Sequence, residues 1–500
     1  MDSKKVVSGT FWQILNVGIF SIMNITYLMI MTRIVDKPAH GSFAVLFVVL
    51  LVLSMISRSG FAMALVKRVD NTSQQLSFAF YGSLFFGILF TIIFYFLAPV
   101  LFTFYGYDID MFFVRLSSLY FVFLSIGLVP YALIVRNMEY KKLLIAQCTS
   151  FLIGSILLAT YLANVGYSFG ALVSGLLGFT FLNSIMMFIL HPHSLKFSFS
   201  KSDISEVFHF SVGFVMSELL FSAANYVDKL IYAMAVSSAS IAIYEKGQYI
   251  TRLPVRIFGN AFDSVLYPLF SKLQSDKEKE KETFLILSKV SIFLASYIGI
   301  TFFVFADVFS HFLYGPNWQE TIKVIQIFSI SIPLLIVTKL CDSVMRVHDK
   351  LYLVSRIKFV FTVLVILSSF SIFYFSYEKS MLLISLSYII LTMMMLGYTI
   401  KVLAIEKKKM FLGLVRIVLL LILMFIAAKV ISLVISSDYG LILPIFSGLI
   451  QISIIFALIF YFPFFFGKKN VVDVISVIHH KLGIEIALVD KIILLIKSRD

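Results

Sequence analysis

Fourteen apolar runs of membrane-crossing length, separated by short gaps, leave this chain few ways to fold. Counting about 20 apolar residues to a crossing, the runs lie near 10 to 32, 42 to 66, 77 to 104, 111 to 135, 143 to 164, 167 to 190, 208 to 235, 247 to 270, 285 to 310, 320 to 345, 355 to 376, 380 to 403, 411 to 435 and 440 to 466. The predicted fold class is all-α, a polytopic membrane protein of about 14 transmembrane helices. Composition agrees: 60% of the 500 residues are hydrophobic and only 14% are charged, too few to cover a water-facing surface. The first run, Val7 to Met31, is longer than a signal-peptide core and lacks a small-residue cleavage site, so it reads as a retained anchor.

Charge orients the spans. Every second gap is basic, from Lys4 and Lys5 through Lys67 and Arg68, Arg136 with Lys141 and Lys142, Lys196 and Lys201, and Lys272 to Lys281, on to Lys407 to Lys409 and Lys468 with Lys469. The intervening gaps hold Asp108 and Asp110, Ser237 to Ser240, Gly315 to Trp318 and Asp438, and only Arg33 to Lys37 strays from the pattern. The positive-inside rule then puts both termini in the cytoplasm. The net charge of +14 serves orientation in an anionic bilayer, and nucleic acid is excluded as a partner. After Lys469, Val471 to Lys497 mixes apolar and charged residues as an amphipathic helix on the inner leaflet would. No gap is long enough for a catalytic domain, so function must lie within the bilayer or at its faces.

A duplication divides the chain. Phe104-Tyr105-Gly106 and Leu313-Tyr314-Gly315 close equivalent outer gaps 209 positions apart, and Arg136-Asn137-Met138-Glu139 and Arg346-Val347-His348-Asp349 follow equivalent spans 210 apart. The expected organisation is an N-terminal six-helix bundle over 1–206, a parallel repeat over 207–406, two additional helices over 407–467 and a cytoplasmic tail over 468–500. Parallel repeats are an architecture of transporters with a central site between halves.

Ions inside the spans are costly and therefore point to function. At about 100° per residue, Ser211, Glu218, Ser222, Asn225 and Lys229 share an arc of about 60°, and Tyr249, Arg252, Arg256, Asn260, Asp263 and Tyr267 share about 80°. Helix one carries Gln13, Asn16, Asn24 and Tyr27 within about 80°. The His residues show no ligand spacing, and Cys148 and Cys341 form no motif, so neither a metal nor another cofactor is expected.

The run Asn225-Tyr226-Val227-Asp228, then Tyr244, then Tyr249 to Arg256 with Pro254, then Tyr267-Pro268-Leu269-Phe270-Ser271, resembles the polysaccharide transporter (Wzx/WzxC-type) branch of the multidrug/oligosaccharidyl-lipid/polysaccharide superfamily. Tyr314-Gly315-Pro316-Asn317-Trp318, Gly9-Thr10-Phe11-Trp12 and Arg33 to Gly41 resemble it too. The resemblance spans roughly residues 8 to 350. Two departures stand out: Arg58 where the family often has a small apolar residue, and no glycine between Val236 and Tyr244. The resemblance implies a flippase, not an enzyme, that moves a polyprenyl-pyrophosphate-linked oligosaccharide from the cytoplasmic to the outer leaflet of the bacterial inner membrane by alternating access. It also implies membrane lipids, H+ or Na+ as coupling ion, and polysaccharide polymerase and chain-length machinery as partners.

A pyrophosphate needs fixed cations, and arginine meets its oxygens bidentately. Arg252 and Arg256 suit that need, with Arg58, Lys229, Lys339 and Arg346 as further candidates. Asp228 counts to the same depth as the two arginines and is a further ion-coupling candidate, or else pairs with one of them only to lock the helices together. Glu218 and Asp263 count to mid-membrane, where facing carboxylates raise one pKa and invite a shared, transport-coupled proton; Glu218 paired with Lys339 or Arg58 is the alternative. Lys339, Asp342 and Arg346 read either as a self-paired cluster or as a cytoplasmic phosphate site. The amides of helix one, with Asn225, Tyr249, Asn260 and Tyr267, are candidates to line a polar cavity, or else packing glue. A drug exporter of the same superfamily would need acids in excess, whereas the stripes hold a cationic surplus; a membrane-embedded polymerase would need a large outer loop. If Glu218 and Asp263 share a coupling proton, Glu218→Gln with Asp263→Asn abolishes the pH dependence of transport, measured as the rate of surface polysaccharide appearance; unchanged transport and pH profile refute the coupling.

Overall fold

Short polar breaks, each ending in a side-chain cap or a left-handed turn, decide where the helices start and stop. The computed structural model describes residues 3–58, 61–67, 72–193, 225–262, 266–405, 422, 425 and 426. In chain order the helices are α1 (Ser3–Ile34), α2 (Lys37–Ser57), α3 (Phe61–Lys67), α4 (Ser73–Tyr105), α5 (Met111–Leu116), α6 (Leu119–Ile126), α7 (Leu128–Arg136), α8 (Tyr140–Ser150), α9 (Leu158–Asn164) and α10 (Ser168–Leu190). They continue as α11 (225–233), then α12 (Ser238–Ala261), α13 (Tyr267–Leu273), α14 (Lys277–Val304), α15 (Ala306–Tyr314), α16 (Thr321–Ser329), α17 (Ser331–Val347), α18 (Leu351–Phe370) and α19 (Tyr377–Val402). No strand occurs among the described residues. Eight helical spans among the described residues are long and apolar enough to cross a membrane, one of them Tyr140–Asn164, in which α8 runs through a π-helical segment, Phe151–Leu157, into α9; two bent pairs each make a further candidate. The chain is an all-α, multi-pass membrane protein. The runs predicted at 411–435 and 440–466, most of that at 208–235, and the amphipathic segment Val471 to Lys497 lie outside the described residues.

Asp36 caps α2 by accepting from the Ala39 amide, with Pro38 in the first turn, where a missing N–H costs nothing. Thr72 and Gln75 form a reciprocal capping box on α4. Asp276 caps α14, and its hydrogen bond from the Lys279 side chain holds its carboxyl below the usual range. Gly106 and Gly315 both turn with positive φ, 68° and 93°, as residues lacking a Cβ do most easily.

The two bent spans share a cause. Met111–Ile126 meets Leu128–Arg136 at 41°, and Thr321–Ser329 meets Ser331–Val347 at 42°. Pro130 and Pro333 each stand three residues past the break, where the ring removes one ladder hydrogen bond and crowds the preceding turn. Each span then ends in a left-handed residue, Met138 at φ 56° and Asp349 at φ 55°. The closing hydrogen bonds match as well, Glu139 N to Ile134 O and Lys350 N to Met345 O, both 2.9 Å.

The described residues form two compact units: Met1–Lys246 with Leu313–Trp318 and Thr362–Ser380, and Gly247–Phe312 with Gln319–Phe361 and Met381–Asp500. In the first unit, one end gathers several connections. Tyr107 donates to the Ala233 carbonyl, Tyr377 to Ser240 and Tyr314 to Lys246, so the breaks after α4, α11, α15 and α18 meet at the face that the charge pattern predicts to be outer. Trp318 is buried there, donating to the Thr32 carbonyl at 2.9 Å with its ring edge-on to His40.

At this end α2 crosses α12 backbone against side chain-free backbone: a Cβ on Gly41 would collide with the Ser238 carbonyl. Gly41→Leu is expected to abolish recovery of monodisperse protein, whereas Gly18→Ala, at a position with open space around it, should leave yield and Tm near those of the unmodified chain; size-exclusion profiles and thermal melts of detergent-solubilised protein check both.

Candidate functional site

Helix α12 begins at Ser238, nine residues before the predicted apolar run at 247. Ser237 explains the start, because its Oγ accepts from the Ser240 amide at 3.3 Å as an N-cap. The earlier start carries Glu245 and Lys246 into the helix and changes the depths counted from sequence. Asp228 lies five residues from the end of α11, while Arg252 and Arg256 lie 14 and 18 residues into α12, about 21 and 27 Å along its axis at 1.5 Å per residue. Asp228 is level with Tyr244 instead, six residues into α12.

In the first unit this produces a buried polar knot. The Asp228 carboxylate is 1% exposed and accepts from the Tyr244 hydroxyl at 2.6 Å and from the Lys229 amide at 2.9 Å. Glu245 faces two lysines, Lys246 at 3.1 Å and Lys229 at 3.9 Å. Tyr232 packs beside Tyr244 with ring centres 4.9 Å apart and planes tilted by 51°, and it donates to Ser380. Removing one member of such a network strands a charge in low dielectric, at a cost of about 3 to 5 kcal/mol. Glu245 and Lys246 are not legible in hydropathy because their charge ends the apolar run; the capping serine eight residues before Glu245, Ser237, is the available signal.

The second unit holds the arginines. Arg252 donates to the Tyr388 hydroxyl at 3.1 Å. The Arg256 guanidinium lies over the Tyr249 ring, 4.9 Å from its centre, as an i, i+7 pair on one helix face allows. Exposed Arg256 has no carboxylate partner among the described residues. The Lys339 alkyl chain passes over Gly259. Farther along α17, Asp342 is bridged by Arg346 at 3.4 Å and by Lys358 of α18 at 3.1 Å, and the Arg346 guanidinium lies 5.5 Å from the Tyr267 ring centre. Tyrosine contacts three of these cations, Arg252, Arg256 and Arg346, through a hydroxyl or a ring face. Tyr388 and Lys358 were not legible as partners, since nothing in their spacing links α18 and α19 to α12 and α17.

The remaining predicted positions scatter. Arg58 is exposed at the C-terminal end of α2. On α1, Asn16 is buried and donates to Gln147 of α8 at 3.0 Å, Asn24 donates to its own helix at Phe20, Tyr27 meets Phe151 edge-on, and Gln13 is half-buried. Asn225 is half-buried on α11, and Tyr267 is exposed. Glu218, Asp263, Ser211, Ser222 and the Asn260 side chain lie outside the described residues. No group of three potential metal ligands occurs among the described residues.

The profile of a family described as polysaccharide biosynthesis protein matches residues 30–323. The succinoglycan biosynthesis transport protein ExoT of Rhizobium meliloti (strain 1021) is 23% identical over 337 residues, covering 66% of this chain and 67% of that protein. The lipopolysaccharide biosynthesis protein WzxC of Escherichia coli (strain K12) is 21% identical over 340 residues, covering 65% and 67%. Among solved structures, the lipid II flippase MurJ in an inward closed conformation superposes with a TM-score of 0.69 at 15% identity, over 89% of this chain and 98% of that one; likeness at that identity speaks for the fold. The profile takes in more than half of the residues, including α12 with both of its arginines, and the chain belongs to the polysaccharide biosynthesis protein family.

Proposed function

We propose that this protein is a flippase that carries a polyprenyl-pyrophosphate-linked oligosaccharide, a repeat unit of O-antigen, capsule or exopolysaccharide, from the inner to the outer leaflet of the cytoplasmic membrane. It is a transporter and performs no covalent chemistry. Family membership and relatives named for succinoglycan and lipopolysaccharide biosynthesis support the cargo class. The observation that carries the reading is the treatment of Arg252 and Arg256. Tyr388 and Tyr249 orient the two guanidiniums by a neutral hydroxyl and an aromatic face, which keeps the fork geometry that pyrophosphate oxygens need. The exposed Arg256 guanidinium would repel a drug cation.

In this reading the duplication describes two six-helix repeats, 1–206 and 207–406, with 407–467 and the tail 468–500 added. Lys229, Lys339, Arg346 and Arg58 supply further positive charge along the cargo's route. The amides and tyrosines of the α1 and α12 stripes face its sugars. Coupling to H+ or Na+ falls to Glu218, Asp263 and Asp228, and the polymerase with its chain-length machinery receives the product at the outer face.

Each charge-assisted hydrogen bond to phosphate contributes about 1.5 to 3 kcal/mol, so Arg252→Gln and Arg256→Gln should each cut surface polysaccharide about tenfold or more and together abolish it. The protein should remain in the membrane, as read by immunoblot of the membrane fraction. Normal polysaccharide in both single variants and the double variant removes these arginines from the cargo site.

A further inference from the structure

The ion network at the far end of α17 has an arrangement that the flippase reading does not require by itself. Two cations on different helices, Arg346 of α17 and Lys358 of α18, converge on one carboxylate, Asp342, at 3.4 and 3.1 Å. The Asp342 side chain is 11% exposed, while those of Arg346 and Lys358 remain 31% and 29% exposed. The acid is thus the inner member and the cations are the groups that a ligand approaching from the open side meets. Tyr267 lies under the Arg346 guanidinium, fixing its plane.

The same cations continue inward. Lys339 stands seven residues before Arg346 on α17, about 10 Å along the helix, and its alkyl chain passes over Gly259 of α12. Gly259 in turn lies seven residues beyond Arg252, again about 10 Å. Positive groups therefore recur at intervals of about two helical turns from the Arg346–Lys358 pair to the arginines of α12.

We propose that Asp342 is an internal stand-in for a diphosphate. It holds Arg346 and Lys358 together while no cargo is present, and a diphosphate group takes its place between them as the first step of loading. The proposal rests on the flippase reading for its cargo, and it names a loading site and an exchange that the reading leaves open. A single carboxylate offers two oxygens and one charge to the pair. A diphosphate offers several oxygens and at least two charges, and an arginine fork and an ammonium can both be satisfied by it at once. Exchange thus replaces one ionic partner by a stronger one without ever leaving the cations bare in low dielectric, where the cost of a stranded charge would be a barrier to loading. The released carboxylate stays on α17 and re-forms the bridges when the diphosphate moves on toward Lys339.

Binding of inorganic pyrophosphate and of geranyl pyrophosphate to the full-length protein in phosphatidylcholine nanodiscs, measured by isothermal titration, tests the exchange. Removing the internal competitor in Asp342→Asn should tighten binding, Lys358→Gln should weaken it about tenfold, and Lys358→Arg should restore it. Weaker binding in Asp342→Asn would overturn the proposal, since the acid would then be needed only to position the cations; so would an unchanged affinity in Lys358→Gln. Tighter binding of geranyl than of inorganic pyrophosphate identifies the lipid-linked form as the ligand, and equal binding identifies the diphosphate group alone. A second measurement uses the unmodified protein: carbodiimide labelling of Asp342, read by mass spectrometry, should rise when pyrophosphate is added, and unchanged or reduced labelling refutes displacement. Failure here with loss of surface polysaccharide in the Arg252 and Arg256 variants removes only the stand-in, whereas normal polysaccharide in those variants removes the flippase site whatever Asp342 does.

Discussion

Hydrocarbon offers a backbone N–H or a side-chain charge no partner, so every polar group that enters a bilayer must bring its own. The architecture follows from that constraint. Helices satisfy the backbone internally, and the described residues are helical wherever they are regular. Where a helix has to break, a donor or acceptor stands ready at the break: Asp36, Thr72 with Gln75, Ser237 and Asp276 each accept from an amide that would otherwise be unpaired. Charges obey the same rule. The knot of Asp228, Tyr244, Lys229, Glu245 and Lys246 is dense because a lone member of it would not be tolerated so deep in the first unit.

The cations differ in the partners that hold them. Lys229 and Lys246 face Glu245, an ion pair that holds α11 to α12. Arg346 and Lys358 converge on Asp342. Arg252 and Arg256 are contacted by tyrosines, which fix direction through a neutral hydroxyl or a ring face. The bends in the two long spans add a mechanical element, since each lies just before a proline that leaves one carbonyl outside the helical ladder.

How much of this was legible in sequence depended on the range of the interaction. The fold class followed from run length and alternate basic gaps, which are local properties of the chain. The end of α4 at Gly106 and the turn at Gly315 were also readable, because left-handed backbone asks for glycine. The start of α12 was missed by nine residues. Hydropathy treated Glu245 and Lys246 as loop, although the serine at Ser237 was a capping signal in plain view. With the start misplaced, Asp228 was counted level with Arg252 and Arg256, and its closeness to Tyr244 went unseen.

By itself the sequence determined that this chain crosses a membrane many times as helices, with cations inside its spans, because solvation of each segment depends only on that segment's own residues. Which cation meets which partner was decided by tertiary structure alone. Tyr388 lies 136 residues from Arg252, and Lys358 lies 16 residues from Asp342 on the next helix. Helix packing brings such groups within 3 Å or so by the rotation and crossing of whole helices, and no spacing along the chain encodes that rotation. The family resemblance named the cargo class, but only packing showed that Tyr388 reaches Arg252 and that Glu245 faces both Lys229 of α11 and Lys246 of α12.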